Sequence, residues 1–588
     1  MCGIYGFSRY NNQEHDLNLL NQMGKVQIHR GPDGSGVFTD EKFILGMRRL
    51  SIIDIEHGQQ PFFSEEKDVV VFCNGEIYNY KSLREELTKD GIKFYTDSDI
   101  EIIPHLYKKY GIKFLNLLNG MFGISLYDTI KNELFIARDR VGIKPLYYYN
   151  FENKFIFSSE LKSILAHKID KSLDFDALSS YIDLMFAPAP YTPFKYIKKV
   201  QSGHCLQIKN NKIESNFDYT KEYKGECSKD SKDIIEELLK DASKLQVNAD
   251  VNVGTFLSGG VDSAAVSVFA AKEIKDKNFY AFHMHWDNAK EKIDESIYAK
   301  NIADQYDMEY IEKKIDNKSI FTELGRLIHH LEEPMSDAAF IPTYQISNMA
   351  SDKIKVILSG AGGDELFAGY QRYKKKNIFK SIIKKIFFGH KLSNSYYDTH
   401  KDFNQKEWSK IFKWYKKDNK IRNEIDYNFK IASKKNYIQA LMDFDLKYYL
   451  QDDILLLTDK MTMATSIEAR VPLLDYRLVD VSKNIPLDEK TKDGESKFVL
   501  KKIMENYIDK EILYRKKEGF GAPLETWIND NKLIFNNYFK NSILVQENLI
   551  NKNYLYKLID KTILTNKESW IFWKILVLEL WVKEFYAE

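Results

Sequence analysis

The chain reads as two domains of different build: an α+β layered domain, then an α/β domain with a parallel sheet and a mostly helical tail. Three observations carry this reading. Up to about residue 210 short apolar runs come in groups, several of them separated by turn residues, with a few helical patterns among them. Residues 211–232, NKIESNFDYTKEYKGECSKDSK, hold few aliphatics and many charges, the composition of a linker. Beyond them strand and helix patterns alternate, which predicts parallel strands with helices on both faces.

In the first domain, strands are predicted over 43–47, 69–73, 123–127, 134–137 and 155–157, and helices over 16–26, 80–89 and 101–110. In the second, 251–257 is an apolar strand followed by a glycine turn and an alanine-rich helix over 262–272. A strand over 279–286, a helix over 295–306 and a strand over 354–358 with its own glycine turn follow. Ligands in such sheets bind beyond the carboxyl ends of the strands, so both glycine turns should lie there although about a hundred residues separate them. After residue 370 the pattern is helical. Residues 374–391 mix many lysines with Ile and Phe and read as a helix with a solvated face, and 570–585 reads as a packed terminal helix.

Composition excludes several classes. With 86 basic and 85 acidic residues the formal charge is +1, so the chain lacks the long-range field of a general nucleic-acid or membrane-surface binder. The same neutrality permits self-association, a homodimer being the simplest form. No stretch has the roughly 20 apolar residues of a membrane span, and the start, MCGIYGFSRYNN, lacks the build of a signal peptide. Four cysteines without a CxxC suit a reducing compartment, and the expected location is cytoplasmic.

Cys2 follows the initiator Met and is itself followed by small residues. Removal of Met1 would put a thiol (pKa about 8.5) and an α-amine (about 7.7–8.0) in one residue, and the amine can then take the thiol's proton. The turn His29-Arg30-Gly31-Pro32-Asp33 holds two cations and a carboxylate. Asn74 and Gly75 end an apolar strand, where a side-chain amide and a backbone N–H can form an oxyanion hole. Arg49 suits the bidentate grip of an α-carboxylate, and Asp99 suits an α-ammonium group. Together they would hold an amino acid by its head and offer its side-chain carbonyl to Cys2. Each of these residue types also serves as a cap, a turn or a surface ion pair.

Leu257-Ser258-Gly259-Gly260-Val261-Asp262-Ser263 lies between strand and helix. Its glycines let N–H groups point at an anion, Ser258 and Ser263 add hydroxyls, and Asp262 can ligate Mg²⁺. The loop lacks the GK[ST] ending of kinase and GTPase phosphate loops. Ser359-Gly360-Ala361-Gly362-Gly363-Asp364-Glu365 supplies a second glycine rim and, in Asp364, a second carboxylate for the same metal. This combination points to cleavage between the α- and β-phosphates of a nucleotide, giving an adenylate.

The chain resembles the glutamine-hydrolysing asparagine synthetase family from end to end. The resemblance rests on MCGI, HRGPDGSG, RLSIID, NGEIYN, SDIE, GMFGISLYD, RDRVGIKPLYY, LSGGVDS, LSGAGGDELFAGY, KMTMATSIEARVPLLD, SKFVLKK and RKKEGFGAPLETW, in the family's order. It implies an N-terminal αββα glutaminase sandwich over 1–210, a linker over 211–232 and an ATP-pyrophosphatase synthetase domain over 233–588. It also implies that Cys2 forms a glutamyl thioester, with Arg49, Asn74, Gly75, Glu76 and Asp99 binding glutamine. Ammonia then passes through an internal tunnel to an aspartyl adenylate made from ATP and aspartate. Leu257, Met284, Ser359 and Gly360 match ATP-binding positions, Asp262 and Asp364 the Mg²⁺-associated carboxylates, and Lys497 the catalytic lysine. One departure bears on the acceptor. Ala361 stands where characterised asparagine synthetases carry an acidic residue, and relatives with this type of loop amidate other carboxylates, such as uronic-acid sugars or antibiotic precursors.

Overall fold

The computed structural model describes all residues except 1, 11–12, 224–229, 275–277, 287–294, 316–320, 375–404, 435, 516–522 and 588. The lysine-rich segment 374–391 therefore lies, but for its first residue, outside the described residues.

The first half carries twelve strands: β1 (Gly3–Ser8), β2 (Gly34–Thr39), β3 (Phe43–Arg49), β4 (Phe62–Phe63), β5 (Val69–Ile77), β6 (Gly120–Asp128), β7 (Glu133–Arg138), β8 (Tyr147–Phe151), β9 (Lys154–Ser158), β10 (Ile197–Lys199), β11 (His204–Lys209) and β12 (Lys212–Asp218), counted among the described residues. They pair antiparallel into two sheets, ordered β10-β8-β9-β1-β3-β2 and β12-β11-β7-β6-β5-β4. The side-chain period of two decides how the sheets stack. On β3, Phe43, Leu45 and Met47 point into the core between the sheets while Ile44 points outward. On β5, Val70 and Phe72 point inward, and Val69, Val71 and Cys73 meet the helices Tyr80–Lys89 and Ile102–Tyr110. The helix Gln13–Lys25 covers the outer face of the other sheet through Leu20 and Met23. The result is the αββα sandwich.

Residues 212–218, expected as linker, form strand β12 instead. Their exposure alternates along the strand, with Lys212, Glu214, Asn216 and Asp218 outward, and β12 pairs with β11 on one side only. An edge strand with one charged face has the composition of a linker, and edge strands are commonly charged because an open apolar edge would recruit other chains.

The second half is built on β13 (Val253–Phe256), β14 (Tyr280–Trp286), β15 (Glu309–Ile315), β16 (Val356–Leu358) and β17 (Glu468–Arg470). All pairs are parallel, in the order β15-β14-β13-β16-β17. The order reverses between β13 and β16, so the chain leaves these neighbours toward opposite faces and a crevice opens beyond their carboxyl ends. The predicted glycine turns occupy that crevice. The helix after the first turn, Val261–Glu273, is buried almost throughout, which its small side chains permit. The last helix, Asn566–Phe585, is also buried along nearly its whole length, and its N-terminus carries a Thr565–Glu568 capping box. Among the described residues no helix is long and apolar enough to cross a membrane.

Trp581 on this last helix is fully buried, and its Nε1–H donates to the Glu332 carbonyl at 2.8 Å. Trp581→Ala should lower stability by about 3–5 kcal/mol through the cavity it leaves, read as a shift of the urea unfolding midpoint.

Candidate active sites

Cys2 lies just ahead of β1 and is buried. Its nitrogen donates to Asn74 Oδ1 at 3.0 Å, and its carbonyl accepts from Arg30 Nε at 3.1 Å. Asn74, on β5, is fully buried, and its Nδ2 donates to Ser159 Oγ at 3.2 Å. That hydroxyl also accepts the Ile4 N–H, at 3.1 Å, which ties the amide to β1. Gly75 has φ +155°, and a Cβ there would lie 1.9 Å from the Met121 carbonyl oxygen, so β5 and β6 meet at this point too closely for any side chain. Burial pushes the Cys2 thiol above its ordinary pKa, against the opposing effects of the Leu50 N–H and the Arg49 charge.

Arg49 is buried and donates to the carbonyls of Ile53, Asp54 and Ile55 at 3.2, 2.6 and 3.1 Å. These bonds hold the guanidinium in place. Asp99 accepts the Ile77 N–H at 2.7 Å, and burial pushes its carboxyl up to about 7. Glu76 points elsewhere. Its carboxylate lies 3.0 Å from Arg470 on β17, across the boundary between the two halves of the chain.

The second site lies about 250 residues further on. Leu257 to Ser263 fold back on themselves: Ser263 Oγ receives the Ser258 N–H at 3.2 Å, lies 3.0 Å from Ser258 Oγ and donates to the Gly260 carbonyl at 3.1 Å. Two side chains outside the motif fix its carbonyls. His283 Nδ1 holds the Leu257 oxygen at 2.8 Å, and Arg515 holds that of Gly259 at 3.1 Å. Met284, next to His283 on β14, turns its side chain the other way, into the core.

The second glycine turn interlocks with the first. A Cβ on Gly360 would lie 2.6 Å from the Ser263 nitrogen, and one on Gly363 2.2 Å from Asp262 Oδ1. Ser359 Oγ accepts the Ala361 N–H at 3.3 Å, and Ala361 is half-buried against the core. Lys497 closes the site. It precedes the helix Phe498–Met504 with φ +57°, a left-handed conformation, and its N–H donates to the Phe367 carbonyl at 3.1 Å. Its ammonium is buried and pairs with Asp262 and, at 2.7 Å, with Asp364. Three distant stretches of sequence therefore meet at one cation.

One apolar cluster spans the boundary between the two halves of the chain. It joins Leu50, Met121 and Ile143 of the first half to Leu257, Leu358 and Leu473 of the second.

The structure brings Cys2, Asn74, Gly75, Arg49 and Asp99 to one end of the sandwich, and Asp262, Ser263, Gly360, Asp364 and Lys497 to the crevice. Sequence reasoning missed Ser159, His283, Arg515 and Arg470. Each acts by holding a backbone or a carboxylate from elsewhere in the chain, and only Arg470, within KMTMATSIEARVPLLD, and Arg515, which opens RKKEGFGAPLETW, lie in motifs the resemblance marks.

A buried thiol beside an asparagine, and a lysine clasped by two carboxylates over glycine turns, define a glutamine amidotransferase joined to a synthetase. A glutamine amidotransferase domain family matches residues 1–223, and the asparagine synthase family matches residues 234–583. The chain belongs to the asparagine synthase family, in its glutamine-hydrolysing form. It is 33% identical to asparagine synthetase [glutamine-hydrolyzing] 1 of Bacillus subtilis over 99% of this chain and 96% of that one. It is 30% identical to asparagine synthetase [glutamine-hydrolyzing] 3 of the same organism, over 88% and 87%. It is also 26% identical to the amidase chry2 of Gibberella zeae, over 90% of each.

Gly363→Ala should push the Asp262 carboxylate away from Lys497. A displacement of that kind typically costs on the order of 10²-fold in rate. Synthetase turnover should fall by about that much while glutamine hydrolysis at the other site persists, as measured by pyrophosphate and glutamate release.

Proposed function

We propose that this enzyme makes asparagine from aspartate, with glutamine as nitrogen donor and ATP cleaved to AMP and pyrophosphate. The observation that carries the reading is Lys497 held between Asp262 and Asp364 at the reversal point of the parallel sheet.

Removal of Met1 leaves the Cys2 nitrogen as an amine already anchored on Asn74 Oδ1. The buried thiol needs a base to ionise, and that amine stands in the same residue. The thiolate attacks the glutamine amide, and the oxyanion is met by the Asn74 amide and the Gly75 N–H. Arg49 takes the α-carboxylate and Asp99 the α-ammonium group. The Glu76 carboxylate is committed to Arg470, so Glu76 contributes to this pocket through its backbone. Ammonia passes along the apolar cluster that joins the two halves, where a neutral molecule loses far less than an ion by leaving water.

At the second site the backbone N–H groups and hydroxyls of the Ser258–Ser263 turn receive the departing pyrophosphate. Two carboxylates form an oxygen donor set of the kind that binds Mg²⁺ together with substrate phosphates. Asp262 and Asp364 would hold it, and when bound it neutralises phosphate charge. Lys497 places a further positive charge where the α–β bond breaks.

The small, apolar Ala361 beside Ser359 and Gly360 favours one other reading, a carboxylate acceptor other than aspartate. Incubation with ATP, Mg²⁺, glutamine and aspartate separates the two. Pyrophosphate and asparagine should both form in an aspartate-dependent manner, and their absence would discard aspartate as acceptor. Cys2→Ala should abolish glutamine use and leave ammonia-dependent synthesis.

Asp99 sets a pH dependence. Its empty-site pKa of about 7 means that below this pH the carboxyl is protonated and has no charge to offer an ammonium group. The KM for glutamine should be level above pH 7 and rise about tenfold per unit below it. Asp99→Asn should raise KM and remove the slope.

A further inference from the structure

The motif RDRVGIK has no part in either site, yet its backbone is tightly wired. Asp139 accepts the N–H groups of Val141, Ile143 and Lys144 at 3.2, 2.8 and 2.9 Å. Arg138 donates to the carbonyls of Gly142 and Lys144, each at 2.8 Å. Both side chains are buried. A surface turn needs none of this. The wiring presents Lys144, 1% exposed, across the boundary between the two halves of the chain.

There Lys144 Nζ donates to the Ala469 carbonyl on β17 at 3.3 Å and lies 3.7 Å from Asp459 Oδ1. The other oxygen of Asp459 accepts Arg30 Nη1 at 2.8 Å, and Arg30 Nε holds the Cys2 carbonyl. On the far side, the carbonyl after Ala469, that of Arg470, accepts the Ser359 N–H at 2.9 Å. Ser359 opens the second glycine turn. An unbroken run of polar contacts thus leads from the backbone of the nucleophile, through Arg30, Asp459 and Lys144, to the rim of the adenylation site. Every side chain in it is buried, so water does not screen the charges and none can move without cost to its neighbours.

We propose that Lys144 and Asp459 are positioning residues that make glutamine hydrolysis at Cys2 respond to the occupancy of the ATP site. The inference rests on the ligase reading above. Neither residue touches glutamine or nucleotide; they act through Arg30 on one side and β17 on the other. Lys144→Met cuts the run at β17 and leaves the Arg30–Asp459–Cys2 side intact.

The test compares glutamate release with and without ATP and aspartate, glutamate formed per pyrophosphate, and the ammonia-dependent rate. In the parent enzyme ATP plus aspartate should stimulate glutamine hydrolysis by about fivefold or more, the range of ordinary site–site coupling. In Lys144→Met the stimulation should fall to less than about twofold and glutamate per pyrophosphate should rise about threefold, with ammonia-dependent synthesis within about twofold of the parent. Lys144→Arg, which keeps the charge and a donor, should restore coupling. Asp459→Asn, of the same shape, should uncouple likewise and serves if Lys144→Met does not fold. Parent-like stimulation in both variants would overturn the proposal. So would a parallel loss of ammonia-dependent synthesis, or a parent enzyme that makes asparagine while its glutamine hydrolysis ignores ATP and aspartate; in each case the ligase reading stands. A parent enzyme that makes no asparagine removes the aspartate reading and this proposal with it.

Discussion

Arg30 has no exposed surface, yet its charge is shared among the Cys2 carbonyl, Glu160 and Asp459. A buried guanidinium is tolerable only while every partner stays in place, because an isolated ion in a protein interior costs several kcal/mol. That constraint spreads through the boundary. Glu160 also pairs with His29 and Lys162, Lys162 with Glu332, and Glu332 with Lys460. Glu332 in turn accepts the N–H groups of Leu161 and Lys162, each at 3.0 Å, capping a helix of the other half. The two halves are thus held in one relative placement by charges that neither half satisfies alone.

This placement bears on the chemistry. Ammonia is a nucleophile only while neutral, and in water near pH 7 it is mostly protonated. The route proposed above for it would follow the largely apolar contact around Leu50, Met121 and Leu358, whereas a loose boundary would admit solvent. The ionic network and the apolar cluster therefore do different work. The first sets register and orientation through directional contacts, and the second excludes water.

Much of the molecule was legible along the chain. Short apolar runs located β3, β5, β6, β7 and β9, because a strand buried on both faces leaves a continuous apolar signature. The glycine turns were legible because a close backbone approach leaves no room for a side chain, as the 2.6 Å clearance between a Cβ on Gly360 and the Ser263 nitrogen shows. Strands with one exposed or charged face were not. β12 passed for a linker, and β15, EYIEKKI, went unseen because its charges mask the pattern. Glu76 was grouped with the glutamine pocket by its neighbours in NGEIYN, although its carboxylate reaches Arg470, nearly 400 residues later. Nothing local to either residue announces that pairing.

By itself the sequence determined the two chemistries: a thiol at the second position, an anion-binding turn, and the carboxylates and glycines that a nucleotide site requires. These are short-range properties, carried by residue types at fixed spacing. Only the tertiary structure decided which cation stands between Asp262 and Asp364, what holds Asn74 in place, and how the backbone of Cys2 is tied to the second glycine turn. Those depend on side chains hundreds of residues apart whose charges become strong only once folding has removed the water between them.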